Sequence, residues 1–442
     1  MAAVGSRVAK GQEQAEAVRV ESLSQEGRGV ARRDGKVVFV RGALAGERVR
    51  LERLRKRRSY DEAVAGEILE ASDLRVEPAC AHFGVCGGCT LQHLDPGEQL
   101  AVKEQALLEV LQRVGGVKPA ELFPRITGPH YGYRRKARLG AKFVAPKGRV
   151  LVGFHEAGGR YVTDARECPV LDWRGAPLPQ LLAELIGSLE QSTQCPQVEF
   201  AAGESSTAFV FRLLQQPSRS DVARLIDFGR EQDCAVWIQT GGPDSLSLLY
   251  GPALLNYSLP AFDVTLHFLP TDFVQVNAAV NRTLVSAAIR RLDLDPGSRV
   301  LELYSGIGNF SLALARSAGE VVSVEGAPDL VQRARANARA NGITNINHHV
   351  SDLAEPPGSA AWLQGRYEAV VLDPPRSGAR AVIPELRRVG TQKILYVSCH
   401  PATLARDAAD LEAAGFALQA AGVADMFPHT AHAEAMALFV RR

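Results

Sequence analysis

Lys393-Ile-Leu-Tyr-Val-Ser-Cys399-His400-Pro401 carries the pattern from which the fold follows. Ile394 to Val397 is apolar without interruption, as in a strand covered on both faces. Pro401 suits the first turn of a helix, where its missing N–H is not needed. Cys399 then stands at the carboxyl end of a strand, the edge at which open α/β sheets hold their ligands. About twenty residues earlier, Ala369-Val-Val-Leu-Asp373-Pro374-Pro375-Arg376 repeats the pattern and ends in a carboxylate and two rigid prolines.

The alternation extends outward from this pair. Arg299-Val-Leu-Glu-Leu precedes a helix from Gly308, and Glu320 to Glu325 precedes a helix over 328–341. Asn345-Ile to Val350 reads as a further strand, and a terminal pair falls near 416–425 and 434–441. A helix near Asn277–Leu292 leads in through the turn Asp295-Pro-Gly. Repeated βα units with crossovers of one hand require a doubly wound, Rossmann-like parallel sheet, expected over 271–442.

With 442 residues the chain is too long for one ordinary core, and two or three domains are expected. The first thirteen residues read as disordered. Four short alternating runs then follow, Ala17–Glu21, Lys36–Val40, Glu47–Glu52 and Ala63–Leu69, parted by glycine-rich turns. Strands at that spacing mean a small, five-stranded β-barrel of oligonucleotide-binding type over 14–73. It resembles the TRAM domain attached to several RNA-modifying enzymes. Between barrel and sheet, residues 74–270 read as a central α+β domain. Net charge is only +2, but seven of the eleven residues 48–58 are arginine or lysine against one acid, a local field suited to a phosphate backbone. In Tyr131-Gly-Tyr-Arg134-Arg135-Lys136-Ala-Arg138, aromatics alternate with cations, as in surfaces that stack bases and contact phosphates. Asp95-Pro96-Gly97-Glu98 opens a helix to about Val114, with Asp95 as cap and Glu98 completing a capping box.

The first twenty residues lack an apolar core and no run reaches the length of a membrane span, so a cytoplasmic protein with no membrane contact is expected. Disulfides are rare there, and seven cysteines need another explanation. Cys80, Cys86 and Cys89 stand in a C-x5-C-x2-C array, and Cys168, before Pro169, is a distant fourth. Four thiolates suit zinc or an iron–sulfur centre, and the wide-then-narrow spacing with a following proline points to iron–sulfur. Cys195 and Cys234 have apolar neighbours and read as core.

Leu303-Tyr304-Ser305-Gly306-Ile307-Gly308-Asn309-Phe310 follows a strand and opens a helix, and its glycines let the backbone approach a ligand. Ser311 stands where a dinucleotide fingerprint has its third glycine, so a nucleoside with a small charged tail fits better than NAD. Glu325 ends the next strand, nineteen residues after Gly306, where a carboxylate accepts ribose hydroxyls. Asp352 ends the third strand and can accept from an adenine amino group. With Asp373 at the fourth, the set points to S-adenosylmethionine.

Carbon 5 of uracil is a poor nucleophile until a thiolate adds at carbon 6. It can then take a methyl group, after which a base must remove the carbon-5 proton so that the thiolate can leave. Cys399 supplies the sulfur. Glu434, in Phe427-Pro428-His429-Thr430-Ala-His432-Ala-Glu434 before the last strand, supplies the base.

Taken in order, Phe273-Val-Gln275-Val-Asn277, the Leu303–Phe310 loop, Asp373-Pro374-Pro375-Arg376, Ser398-Cys399-His400-Pro401 and the region of Glu434 resemble the motifs of the RNA uracil-5-methyltransferase family. The resemblance spans nearly the whole chain. It implies that Gln275, Tyr304, Asn309, Glu325, Asp352 and Asp373 contact the methyl donor, that Cys399 is the nucleophile and that Glu434 is the base. The barrel and the four cysteines resemble the TRAM domain and 4Fe-4S site of members that modify a single uridine of 23S ribosomal RNA. A monomer acting on that RNA is the expectation, with transfer RNA or another 23S site as the alternative. The family has cysteine where Ser305 stands, asparagine where His400 stands and a β-branched residue where Ala433 stands. A cytosine-5 methyltransferase carries a further cysteine where Pro375 follows Pro374. A non-catalytic RNA-binding iron–sulfur protein would form no covalent adduct with RNA.

Overall fold

In the computed structural model residues 17–173, 175 and 177–442 are described. The disorder expected for residues 1–13, and barrel residues 14–16, lie outside them. Strands β1 (Ala17–Leu23), β2 (Gly29–Arg33), β3 (Lys36–Arg41), β4 (Arg48–Lys56) and β5 (Tyr60–Glu70) close a barrel in the order β1-β2-β3-β5-β4. Alternate residues fill it, among them Val20, Ala31, Val38, Val40 and Val49, as a two-residue side-chain period requires. β2 escaped the reading of alternating runs because glycine opens it and two arginines end it. At Gly29 a side chain would meet Val20 at 2.8 Å. The arginines of β4 point outward, and a register shift at Glu52/Arg55, with Arg53 at φ 50°, twists them along the barrel wall.

Helix α1 (Pro96–Arg113) begins where expected, with the Asp95 carboxylate accepting from Gly97 N at 2.8 Å. The capping box does not form, because the Asp95 N–H donates to Leu74 O at 2.9 Å and needs no second partner. After the two-residue β6 (Glu121–Leu122) come β7 (Lys136–Val144), β8 (Arg149–Gly153), α2 (Leu178–Ser188), β9 (Gln197–Ala202), β10 (Thr207–Arg212), α3 (Arg219–Glu231), β11 (Cys234–Gln239) and β12 (Leu246–Tyr250). These strands form a sheet in the order β12-β11-β10-β9-β7-β8. Leu182 and Ile186 of α2 and Leu225 and Phe228 of α3 pack on it, and Cys195 and Cys234 are buried in that core. A hairpin, β13 (Leu255–Leu259) with β14 (Val264–Phe268), leads to α4 (Ala278–Leu292).

The remaining elements are β15 (Arg299–Leu303), α5 (Ser311–Ala315), β16 (Glu320–Glu325), α6 (Pro328–Ala340), β17 (Ile346–Val350), β18 (Ala369–Leu372), α7 (Ile383–Leu386), β19 (Lys393–Ser398), α8 (Pro401–Ala413), β20 (Phe416–Ala424) and β21 (Glu434–Arg441). They build an eight-stranded sheet in the order β17-β16-β15-β18-β19-β21-β20-β6. From β17 to β19 it is parallel, as expected. β21 is antiparallel to both of its neighbours, because the loop 425–433 is too short for a crossover back to the starting edge. The loop therefore lies at the carboxyl edge, and β6 from the central segment extends the sheet beyond β20. Among the described residues no helix is long and apolar enough to cross a membrane.

A buried ion pair ties α1 to that loop. Lys103 Nζ lies 2.6 Å from Asp425 Oδ1 and donates to Phe427 O at 2.9 Å, with both side chains about 1% exposed. Removing one partner strands a charge away from water, which costs about 3–5 kcal/mol. Lys103→Met should therefore lower the chemical-denaturation midpoint sharply, and Lys103→Met/Asp425→Leu should recover most of the loss.

Candidate active site

The register of β21 sets the site. Ser398 of β19 pairs with Ala435 of β21, so the next position along each strand brings Cys399 opposite Glu434. On the other side of β19 lies β18, whose last residue is followed by Asp373. Three groups on separate strands thus meet at one edge. Glu434 is 2% exposed, and its carboxyl is held well above the usual range by burial and then by Asp373. Burial pushes Asp373 up to about 7, against a hydrogen bond with the Gln275 side chain that pulls it down. The half-buried Cys399 thiol is raised by burial and then by Glu434, while the Arg376 guanidinium, hydrogen-bonded to the sulfur, opposes both. Arg376 was legible only as the end of the Asp373 motif. Nothing in sequence says that the turn after Pro375 brings it to the sulfur.

His400 caps α8: its Nδ1 accepts from Thr403 N at 3.3 Å and lies 3.1 Å from Thr403 Oγ1. An asparagine would cap by the same means, which accounts for the exchange at this position. Ser398 Oγ accepts from His400 N at 3.1 Å and so shapes the turn that presents Cys399.

The glycine loop lies beside this edge. Tyr304 has φ 66°, rare for a residue with a side chain, and its hydroxyl donates to Leu353 O at 3.2 Å. A Cβ at Gly308 would lie 2.3 Å from Leu312, whereas one at Gly306 would meet nothing within 4 Å. Gly308 serves packing, and Gly306 leaves room for a ligand. Glu325 accepts from Gly306 N at 3.0 Å and from Ala327 N at 2.9 Å, one bond on each oxygen, which leaves a further lone pair on both. Asp352 is exposed and accepts from Ala354 N at 2.8 Å. The Asn309 amide is already matched: it exchanges two hydrogen bonds with Asn281 at 2.9 and 3.0 Å and accepts from Tyr257 OH at 3.0 Å. Among the described residues it makes more side-chain hydrogen bonds than any other of the six cofactor candidates. The loop's open space, the ribose-ready carboxylate and the buried acids fit a nucleoside carrying a positive sulfonium.

Cys80, Cys86, Cys89 and Cys168 line one enclosed cavity with Arg134 at its wall. Burial and the neighbouring thiols push Cys89 up to about 11 and Cys168 up to about 12. Among the described residues no three His, Cys, Asp or Glu side chains converge as on a single ion. Outside this cavity a groove runs between Arg53, Arg55 and Arg57 of the barrel and the loop Phe83–Thr90.

Of the Tyr131–Arg138 stretch, Tyr131 and Arg138 are exposed and Arg134 is half-buried, while its middle residues turn inward. Tyr133 is buried and donates to Pro428 O at 3.1 Å. Arg135 is buried, donates to Gln275 O at 2.8 Å and lies 4.3 Å from the Tyr257 ring centre, and Lys136 donates to Asp272 O. The pattern was read as a surface because aromatic–cation alternation looks alike whether water or another domain covers it.

Glu302 of β15 was not singled out in sequence. It is 1% exposed, accepts from Ser311 Oγ, and burial pushes its carboxyl from 4.5 up to about 8, with Asp373 and Glu325 adding to the shift. The folded state holds this proton more tightly than an unfolded chain does, so ionisation opposes folding. Stability from this group is full below pH 4.5 and is lost as pH rises to about 8. Melting temperatures taken across that range should fall less with pH in Glu302→Gln than in the parent chain.

Comparison with known proteins gives the family. Residues 252–355 and 363–442 match the tRNA (Uracil-5-)-methyltransferase family, and residues 7–52 match the TRAM domain. The structure resembles the Pyrococcus abyssi tRNA (uracil-54, C5)-methyltransferase in complex with S-adenosyl-L-homocysteine, with a TM-score of 0.72 over 96% of this chain and all of that one, at 23% identity. The 23S rRNA (uracil(1939)-C(5))-methyltransferase RlmD of Methylococcus capsulatus is 47% identical over 428 residues, 96% of this chain and 97% of that protein. The enzyme of the same name from Aromatoleum aromaticum is 47% identical over 427 residues, 96% and 99% of the two chains. At that identity over nearly its full length, the chain belongs to the RlmD family of 23S rRNA uracil-C5 methyltransferases.

Proposed function

We propose that this protein methylates carbon 5 of a uridine in 23S ribosomal RNA, the uracil-1939 type named for its relatives, as a cytoplasmic monomer. The carrying observation is the strand register that sets Cys399 against Glu434 beside Asp373. S-adenosylmethionine, when bound, supplies an electrophilic methyl group. Gln275, Tyr304, Glu325, Asp352, Asp373 and the Asn309 turn would hold it. The Cys399 thiolate, favoured by Arg376, adds to carbon 6 of the uracil, and the ring's electrons move to carbon 5, which accepts the methyl as the donor's S–CH3 bond breaks and a neutral thioether leaves. Glu434, made more basic by burial, then takes the carbon-5 proton, and the electron pair left behind expels the sulfur and restores the ring. We divide the chain as 14–73 for RNA contact, 74–270 for the cysteine site and docking, and 271–442 for chemistry.

The four cysteines are assigned to a 4Fe-4S cluster rather than zinc. That all four line one cavity supports a single shared site, and Arg134 at its wall offsets the charge of four thiolates. Its role is structural and RNA-docking, since the cavity abuts the basic groove of the barrel. Anaerobically purified protein should carry iron and acid-labile sulfide, and Cys86→Ser should lose both along with RNA affinity. An iron-free parent protein would count against the cluster.

The catalytic reading is tested with RNA in which the target uridine is 5-fluorouridine, whose fluorine cannot be removed as a proton. The parent enzyme should form an adduct that survives denaturing electrophoresis, and Cys399→Ala should form none. An adduct in Cys399→Ala refutes the nucleophile assignment, and mapping of methylated uridines in ribosomal and transfer RNA from a deletion strain identifies the target.

A further inference from the structure

The loop that precedes Glu434 is held largely from outside the catalytic sheet, by the chain that leaves the cysteine array. Within it His429 is fully buried and has φ 64°, a conformation that costs a side-chain-bearing residue energy and persists only when the surroundings impose it. Its carbonyl accepts from Thr90 N at 2.8 Å and from Leu91 N at 2.9 Å, the two residues that follow Cys89. Ala431 N donates to Thr90 Oγ1 at 3.1 Å.

One amide joins these pieces. Gln99, fully buried on α1, accepts from His429 N through Oε1 at 2.8 Å. Its Nε2 lies 3.0 Å from Leu91 O, 2.9 Å from Leu94 O and 3.2 Å from His429 Nδ1. A buried amide with every group matched fixes the geometry of whatever it bonds, because leaving any one group unmatched is costly. No cofactor or RNA candidate touches Gln99 within these contacts, so its effect on the reaction must pass through the loop.

We infer that Gln99 is a positioning residue for proton removal: by locking His429 to the Leu91–Leu94 turn, it sets where the Glu434 carboxylate stands. This rests on the reading of Glu434 as the base. Addition of Cys399 and methyl transfer need β19 and the cofactor loop, neither of which Gln99 touches. Only the step that consumes the carbon-5 proton depends on the loop. Displacing a reacting group by about 1 Å costs on the order of a hundredfold in rate.

The test uses full-length enzyme, S-adenosylmethionine and an unmodified 23S RNA fragment in single turnover. Methyl transfer to RNA, the fraction of RNA covalently bound to protein and RNA affinity are followed separately. Gln99→Leu should bind RNA within about twofold of the parent and transfer the methyl at a similar rate, yet release product roughly ten- to a hundredfold more slowly. The methylated RNA–enzyme adduct should then accumulate, as it should in Glu434→Gln, and backbone amides of 427–433 should exchange hydrogen faster. Thr90→Val, which removes only the hydroxyl acceptor of Ala431 N, should shift release in the same direction by less, and it carries the test if Gln99→Leu does not fold. Slow release in Glu434→Gln with normal release in both other variants overturns the inference alone. An equal loss of affinity, transfer and release in those variants, as from a merely structural residue, overturns it as well. Normal release in Glu434→Gln overturns the base assignment and the inference with it.

Discussion

The ladder between β19 and the reversed last strand fixes the site, and two separate cores hold that ladder in register. Leu395, Val397, Met436 and Leu438 enter one core, and Ile394, Tyr396, Ala437 and Phe439 enter the other. The pairs Ile394–Phe439, Leu395–Leu438, Tyr396–Ala437 and Val397–Met436 each point into the same core. A slip of one residue would exchange every side chain between the two cores, and large residues would fall where small ones fit. The β20–β21 ladder has an irregularity between Leu418 and Ala420, whereas the β19–β21 ladder has none. Misfit is taken up on the side away from Cys399.

Burying Glu302, Asp373 and Glu434 is costly, because each carboxylate loses water and Asp373 repels the other two. Bonds from Ser311 and Gln275 recover part of that cost. Acids that resist ionising together make an edge that gains when a cation arrives, and a sulfonium is such a cation. Glu434 and Asp373 also raise the Cys399 thiol, and the Arg376 counter-charge at the sulfur opposes them. The site therefore favours a positive methyl donor and a basic Glu434 at the expense of an easily ionised cysteine.

The parallel sheet was legible because βα units write themselves as uninterrupted apolar runs ending at glycine, proline or an acid. The barrel was legible from spacing, although β2, short and rich in arginine, gave no alternating run. The gathering of Cys399, Asp373 and Glu434 was reached from chemical need and family motifs, since no local pattern says that β21 inserts beside β19. Contacts that depend on a turn's final direction were not legible. Arg376 at the sulfur, the matched Asn309 amide and the Gln99–His429 lock all join residues whose separation in sequence carries no periodic signal.

The inward turn of Tyr133, Arg135 and Lys136 changes what the central segment is for. Arg135 carries its charge into an interior where burial lowers its basicity, against which the Tyr257 ring, the Gln275 carbonyl and, by charge, Glu204 and Asp172 act. A cation would not be placed there merely to meet RNA. Its two contacts lead to the site: Tyr257 OH reaches the Asn309 amide, and the Gln275 side chain reaches Asp373. The central segment thus braces both ends of the cofactor edge from behind, through bonds that a hydrophobic side chain at 135 could not make. Arg53 and Arg55 of β4 instead face outward into the groove beside the cysteine loop. The exit of that loop is bonded to His429, so the groove and the segment before Glu434 share one piece of backbone.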